Sequence, residues 1–182
     1  VDHEDTNRAF DALLVTLCQS GDRRAADRLA ARWQPRLVRT ARRLLRDDDL
    51  ARDAVQEAWL GICRGWGGLH DPAQFPAWAF AILHRKCADA MRRRSRQRAV
   101  FIAHDVMPEA AGEDADAHER IAIDRAMAAL SFDHRAAALL FFGEGLTLAE
   151  IARVTSVPLG TAKSRVFNAR LQLKAALGGE TP

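Results

Sequence analysis

Tyrosine is absent from the 182 residues, β-branched side chains are sparse, and cysteine occurs three times. With few β-branched residues nothing reads as a strand. Ala, Leu and Arg dominate, and their side chains lose little rotamer freedom in a helix. Cys18, Cys63 and Cys87 lie far apart without a CxxC pair, which excludes a disulfide framework and predicts buried thiols in a reducing compartment. The histidines form no HxxxH or HExxH pattern, so neither a metal centre nor another cofactor is expected. No apolar run approaches the roughly 20 residues of a bilayer span, so no stable membrane insertion is expected. The opening VDHEDTNRAF is too acidic and polar for a signal peptide, and a cytoplasmic location follows as the expectation. A Gly-rich phosphate loop is missing and no nucleophile–base pair stands out, which argues against an enzyme.

What is present is the balance of a folded chain, with 48% hydrophobic and 28% charged residues. The net charge of +3 hides an uneven distribution. Arginine crowds into 36–46 and 85–98, whereas 99–119 holds six acidic residues and no Lys or Arg. A basic zone is either a solvated face or a nucleic-acid footprint, and charge alone does not separate the two.

Periodicity divides the chain into helices. Phe10, Leu13, Leu14 and Leu17 recur at helical spacing and stop near Gly21. Ala26, Leu29, Trp33, Leu37, Ala41, Leu44 and Leu45 form one stripe, which Pro35 should kink or divide. Asp47-Asp48-Asp49 supplies capping oxygens for a helix carrying Ala51, Val55, Ala58, Trp59, Ile62 and Trp66 on one side, ended by Gly67-Gly68. After a loop at 69–74, Pro76 falls in the first turn of a helix reaching about Arg96. Residues 99–119, with Pro108 and Gly112, read as an acidic, flexible linker. Helical spacing then returns. The expectation is an all-α protein of two small helical domains, 1–98 and 120–182, joined by that linker.

The sharpest local signal runs from Thr147 to Val166. Thr147 and Glu150 form a capping box ahead of a short helix with Ile151 and Ala152 inward. A turn at Thr155-Ser156-Val157 follows, and Pro158 favours a new helix start. Gly160, Thr161, Lys163, Ser164 and Arg165 occupy that helix's first two turns, and Arg170 and Lys174 extend its cationic side. A helix-turn-helix reads the major groove in this way, small groups meeting base edges and cations meeting phosphates. The bland alternative is a helical hairpin with a solvated face.

With that motif placed, the chain resembles the extracytoplasmic-function sigma factors of the sigma-70 family. The stretch from Asp49 to Leu60, DLARDAVQEAWL, resembles their D-A-E-D-L-V-Q-E-A-F-L signature. Phe75 to Asp89 loosely follows F-x-x-W-L-x-x-I-A-R-x-x-x-D, and the helix-turn-helix followed by Leu171 and Leu173 is similar to their second domain. Ser156 stands where the family often has Gly, and Ala162 where Val is common. Glycine at the first position would supply a positive φ, which Ser adopts at a cost of order 1 kcal/mol.

The resemblance implies that core RNA polymerase and promoter DNA are the partners, with an anti-sigma factor as a further one. Domain 1–98 would bind core polymerase through Asp53, Gln56 and Glu57, and capture the minus-ten element as single strand. Stacking of one released base on an aromatic face is worth on the order of 1–3 kcal/mol. Phe75, Trp78 and the loop 68–74 are candidates for a base pocket, although core packing is the ordinary role of such rings, and Trp78's spacing favours it. Asp71 and Gln74 would meet bases, and Arg85, Lys86, Arg92 and Arg93 would follow the backbone. Gly160, Thr161, Lys163, Ser164, Arg165 and Arg170 would recognise the minus-35 element. The acidic linker is either a tether or a segment threading toward the polymerase's RNA channel. Two other classes compete: a stand-alone DNA-binding regulator, and a helical module that binds protein through its Trp-rich half.

Overall fold

The computed structural model describes residues 3–100 and 115–178, with side chains described for 6–97 and 122–178. Among the described residues every regular element is helical, as the composition led us to expect: α1 (His3–Gln19), α2 (Arg23–Leu45), α3 (Asp48–Gly65), α4 (Phe75–Val100), α5 (Ala115–Ala129), α6 (Phe132–Ala138), α7 (Leu148–Thr155) and α8 (Leu159–Ala176). Two 3-10 turns, Trp66–Gly68 and Pro72–Gln74, join α3 to α4, and a π-helical turn, Leu139–Gly143, extends α6. The chain forms two compact units, one built on residues 1–87 and the other on most of the remainder. The expected linker falls largely outside the described residues. Its margins are helical, α4 running on to Val100 and α5 starting at Ala115.

In the first unit, capping chemistry sets the helix starts. Asp22 accepts hydrogen bonds from the Arg24 and Ala25 amides and opens α2; Asp47 accepts from the Asp49 and Leu50 amides and opens α3. Leu29, Trp33, Leu37, Ala41, Leu44 and Leu45 of α2 are buried against Ala51, Val55, Ala58 and Ile62 of α3 and Phe75, Phe80 and Leu83 of α4. Trp33 is the centre. Its ring meets Phe75 edge-on at 4.9 Å and Phe80 at 5.5 Å, and Arg36 lies 4.3 Å over it. Truncating such a residue to Ala costs about 3–5 kcal/mol.

Two expectations need correction, and a third is narrowed. Of the alternatives at Pro35, division is excluded, since α2 runs unbroken through it. Pro35 and Ala31 are both exposed, so the carbonyl that loses its helical donor lies on the solvent side. The buried face of α1 is Asp11, Leu14, Val15 and Cys18, whereas Phe10, Leu13 and Leu17 are 44%, 53% and 37% exposed. A buried carboxylate displaces the apolar stripe: Asp11 accepts from Arg32 Nε at 2.6 Å, and Arg32 also donates to Asn7 at 2.7 Å. Cys63 is exposed, while Cys18 and Cys87 are buried. Burial pushes the Cys87 thiol up to about 12.

In the second unit Leu130, Ala138 and Ala169 pack together, with Met127 and Leu173 against them. The start of α6 is capped by Ser131, whose hydroxyl accepts from the His134 amide. Arg135 on α6 is buried, and its guanidinium donates to the carbonyls of Met127, Ala128 and Leu130 at 3.0, 3.1 and 2.7 Å. A cation thus closes the end of α5, where helix carbonyls lack internal donors.

Candidate nucleic-acid interface

The helix-turn-helix is assembled by the bonds its sequence suggested. The Thr147 amide and hydroxyl donate to Glu150 Oε2 at 2.8 and 2.9 Å, and the Glu150 amide donates back to Thr147 Oγ1 at 3.2 Å. Ser156 follows α7 at φ 55°, in the left-handed region. That conformation lets the Val157 amide reach the Ala152 carbonyl at 3.0 Å, ending α7. The Pro158 carbonyl accepts from the Thr161 and Ala162 amides and begins α8. Ala162 and Ala169 are fully buried, so α8 approaches its neighbours closely along 162, 166 and 169.

The opposite face of α8 is open. Gly160, Lys163, Ser164 and Arg170 are exposed and Thr161 is half-buried. Arg165 differs from its neighbours. Its guanidinium donates to Asp133 of α6 at 2.5 Å, and its side chain is only 21% exposed. Three residues after buried Ala162, it lies on the inner flank and ties α8 to α6. The expected phosphate contact at Arg165 would have to draw the guanidinium from this exposed pair. Phe167, 59% exposed, and Leu171, 43% exposed, lie on the open side one and two turns beyond Lys163. Sequence reasoning that looked for cations passed over Phe167, although its i+4 relation to Lys163 was there to be read.

Two further surfaces lie on α3 and α4. On α3, Asp53 and Gln56 are exposed and Glu57 is half-buried, with Leu60, 51% exposed, on the same face. An apolar centre with a polar surround suits a protein partner better than charge alone. Glu57 accepts an ion pair from Lys86 Nζ at 3.1 Å. Two residues expected at separate sites thus meet, and they hold α3 against α4. Along α4, Arg85 and Arg93 are exposed, and Arg92 pairs with Asp89. An exposed pair of that kind is worth about 0–1 kcal/mol, so a phosphate can compete for it.

Between α3 and α4 the chain passes through both 3-10 turns. The Leu69 amide donates to the Trp66 carbonyl at 3.1 Å. Asp71 accepts from the Ala73 amide at 3.0 Å, so its carboxylate shapes the second turn. Gln74 is half-buried, and His70, which the sequence reading did not single out, is exposed. Phe75 is fully buried, edge-on to Trp33. It is a core residue, and its expected role as a base-stacking face is corrected. Trp78 is half-buried, and its ring covers Gly65 so closely that a Cβ there would lie 2.9 Å from Cζ2. Glycine at 65 is what lets this ring seat on the end of α3.

Comparison with known proteins is consistent across both units. Residues 29–97 match sigma-70 region 2, which takes in α3, the loop and most of α2 and α4; residues 120–173 match sigma-70 region 4. The chain is 35% identical to the ECF RNA polymerase sigma factor SigM of Mycobacterium tuberculosis over 168 residues, 92% of this chain and 85% of that one. It belongs to the extracytoplasmic-function sigma factors of the sigma-70 family. The RNA polymerase sigma-H factor of Pseudomonas aeruginosa is 29% identical over 92% of this chain and 93% of its own. Among solved structures, the sigma factor RpoE in complex with the anti-sigma factor NepR from Bartonella quintana aligns at a TM-score of 0.69 and 26% identity. That alignment covers 85% of this chain and 98% of the other. The region 4 match takes in the helix-turn-helix, α7 and most of α8, and the region 2 match the segment around the 3-10 turns. No described helix is long and apolar enough to cross a membrane.

Proposed function

We propose that this sigma factor binds core RNA polymerase in the cytoplasm through α3, opens the minus-ten element with the loop 68–74 and α4, and docks on the minus-35 element with α8. The observation that carries the reading is the ordered pair of matches, region 2 then region 4, on a chain whose second unit ends in a capped helix-turn-helix. Asp53, Gln56 and Leu60 form the polymerase face, and Glu57 supports it from the side through Lys86. Arg85, Arg92 and Arg93 track the backbone of the separated strand. His70, Gln74 and the exposed edge of Trp78 meet bases, while Asp71 keeps the loop in shape. On α8, Gly160, Thr161 and Ser164 approach base edges, Lys163 and Arg170 meet phosphates, and Phe167 offers an apolar contact of the kind made to a thymine methyl. Residues 1–98 and 120–182 are the two working domains. A further partner is an anti-sigma factor that covers these faces between signals, a reading supported by the likeness to a sigma factor solved with such a partner.

The test is run-off transcription with purified core polymerase on genomic DNA, with start sites mapped. Transcripts should begin downstream of two shared upstream elements; absence of association with core would overturn the proposal. Lys163→Ala and Arg170→Ala should each lower the salt slope of promoter binding by about one. Arg165→Ala should leave that slope unchanged and lower the melting temperature of the second unit instead.

A further inference from the structure

Gln19, the last residue of α1, is exposed, yet its side-chain amide is committed to the main chain far along the sequence. Its Nε2 donates to the Trp66 carbonyl at 2.9 Å and to the Leu69 carbonyl at 2.8 Å. Both acceptors are carbonyls, so the amide nitrogen must face them and Oε1 must point away. The two acceptors are the first and last residues of one turn, since the Leu69 amide itself donates to the Trp66 carbonyl. Between them lie Gly67 and Gly68, where an added Cβ would meet nothing within 4 Å. Both glycines are exposed, and glycine has more backbone freedom to lose than any other residue. α1 packs against both 3-10 turns, and Gln19 is the side chain by which it grips the first.

We infer that Gln19 is a positioning residue for capture of the minus-ten strand: by bracketing the turn 66–69 it sets the loop 68–74 in its DNA-ready geometry before the strand arrives. The inference rests on the proposed role of that loop. The physical reason is preorganisation. A loop ordered in advance loses less freedom when its ligand binds, so the same contacts give tighter and more selective binding. Gln19 touches no base, and neither the helix-turn-helix nor the polymerase face depends on it.

The experiment uses holoenzyme assembled from core polymerase with wild type, Gln19→Ala, Gln19→Glu or Gln19→Lys. The probe is a fluorescent single strand carrying the minus-ten sequence obtained by start-site mapping, beside one of the same composition with that element scrambled. Gln19→Ala should lose roughly fivefold to thirtyfold in affinity for the cognate strand, the order expected from two solvent-facing hydrogen bonds, with little change for the scrambled one. Gln19→Glu should lose at least as much, because a carboxylate sets lone pairs against both carbonyls. Gln19→Lys, whose ammonium can donate to both, should recover part of the loss. Core affinity should hold across the set, and the first unit's melting temperature should fall by no more than the few degrees that two such hydrogen bonds supply. Cognate-strand affinity unchanged in Ala and Glu would overturn the inference, as would equal losses in Ala, Glu and Lys, since donation would then be irrelevant. If wild-type holoenzyme itself fails to prefer the cognate strand, the reading of the loop fails, and the positioning role falls with it.

Discussion

Arg135 closes the end of α5 in the second unit, and its removal gives a sharp stability prediction. Its buried guanidinium donates to three carbonyls at the end of α5. The Met127 carbonyl keeps a second donor, the Leu130 amide, when Arg135 is lost. The Ala128 and Leu130 carbonyls lose the donor that closes them, and an acceptor left unsatisfied in a buried site costs about 1–3 kcal/mol. The Leu130 bond is buried and the Ala128 bond part-buried, so the two together cost about 3 kcal/mol. Against this, a buried guanidinium carries its own desolvation penalty, which a methionine of similar length does not. That relief is small here, because the cation sits at the negative end of α5. We therefore expect Arg135→Met to destabilise the second unit by about 3 kcal/mol, equivalent to roughly 12–24 °C in a domain of this size. Arg135→Lys should fall between, since an ammonium keeps the charge without the planar fork.

The assay follows from where the tryptophans lie. Trp33, Trp59, Trp66 and Trp78 all belong to the first unit. Tryptophan fluorescence therefore reports that unit alone, whereas helical circular dichroism reports both. In Arg135→Met the dichroism should gain an early transition while the fluorescence midpoint stays put. A loss below about 1 kcal/mol, or a fluorescence midpoint that moved with the dichroism, would refute the account of Arg135 as a local cap on α5.

Two further outcomes can be measured with the same signals. Ser156 sits at φ 55°, a region that costs a side-chain-bearing residue about 1–2 kcal/mol, partly returned by the greater unfolded-state freedom of glycine. Ser156→Gly should raise the second unit's midpoint by roughly 3–6 °C, and a neutral result would mean the turn relaxes around Ser. Cys87 is raised from 9.0 to about 12 by burial, so above pH 9 the unfolded chain releases a proton that the folded one retains. Stability should therefore be intact below pH 9 and decline as pH climbs toward 12, by about 2 kcal/mol at pH 10.5. Urea unfolding of wild type and Cys87→Ala at pH 8 and pH 10.5 isolates this contribution; identical pH dependence in the two would sink it.

What the sequence disclosed was the part of the fold governed by neighbours. The Thr147–Glu150 box, the inward Ile151 and Ala152 and the left-handed Ser156 all follow from residues within a few positions of one another, where helix geometry decides who meets whom. The face of α1 was misjudged because its packing is decided from α2. Asp11 reads as a surface residue until Arg32, 21 positions away, is set beside it. Phe75 shows the same limit. An aromatic ring at a loop–helix junction can stack on a base or fill a core, and only the position of Trp33 decides between them.

The contrast between Lys163 and Arg165 carries this reasoning into function. Both are cations in the first two turns of α8, the helix proposed to read the groove, and composition treats them alike. Periodicity does not: with Ala162, Val166 and Ala169 buried, position 165 falls beside the seam and position 163 falls away from it. A cation beside the seam finds a carboxylate, here Asp133, and holds α8 at its angle to α6. A cation away from the seam remains exposed to meet a phosphate. On the proposed reading the angle of α8 decides which base edges Ser164 and Phe167 reach, so the Arg165–Asp133 pair, partly exposed beside the seam, would act on selectivity through geometry. On this view Arg165→Lys should keep phosphate affinity and salt slope yet blur discrimination among minus-35 sequences, because an ammonium holds Asp133 at one point where the guanidinium's planar fork constrains direction as well. Binding measured across a panel of single-base minus-35 variants would show this as a flatter profile at unchanged slope. A profile as steep as the wild type's would mean that the backbone alone sets the angle.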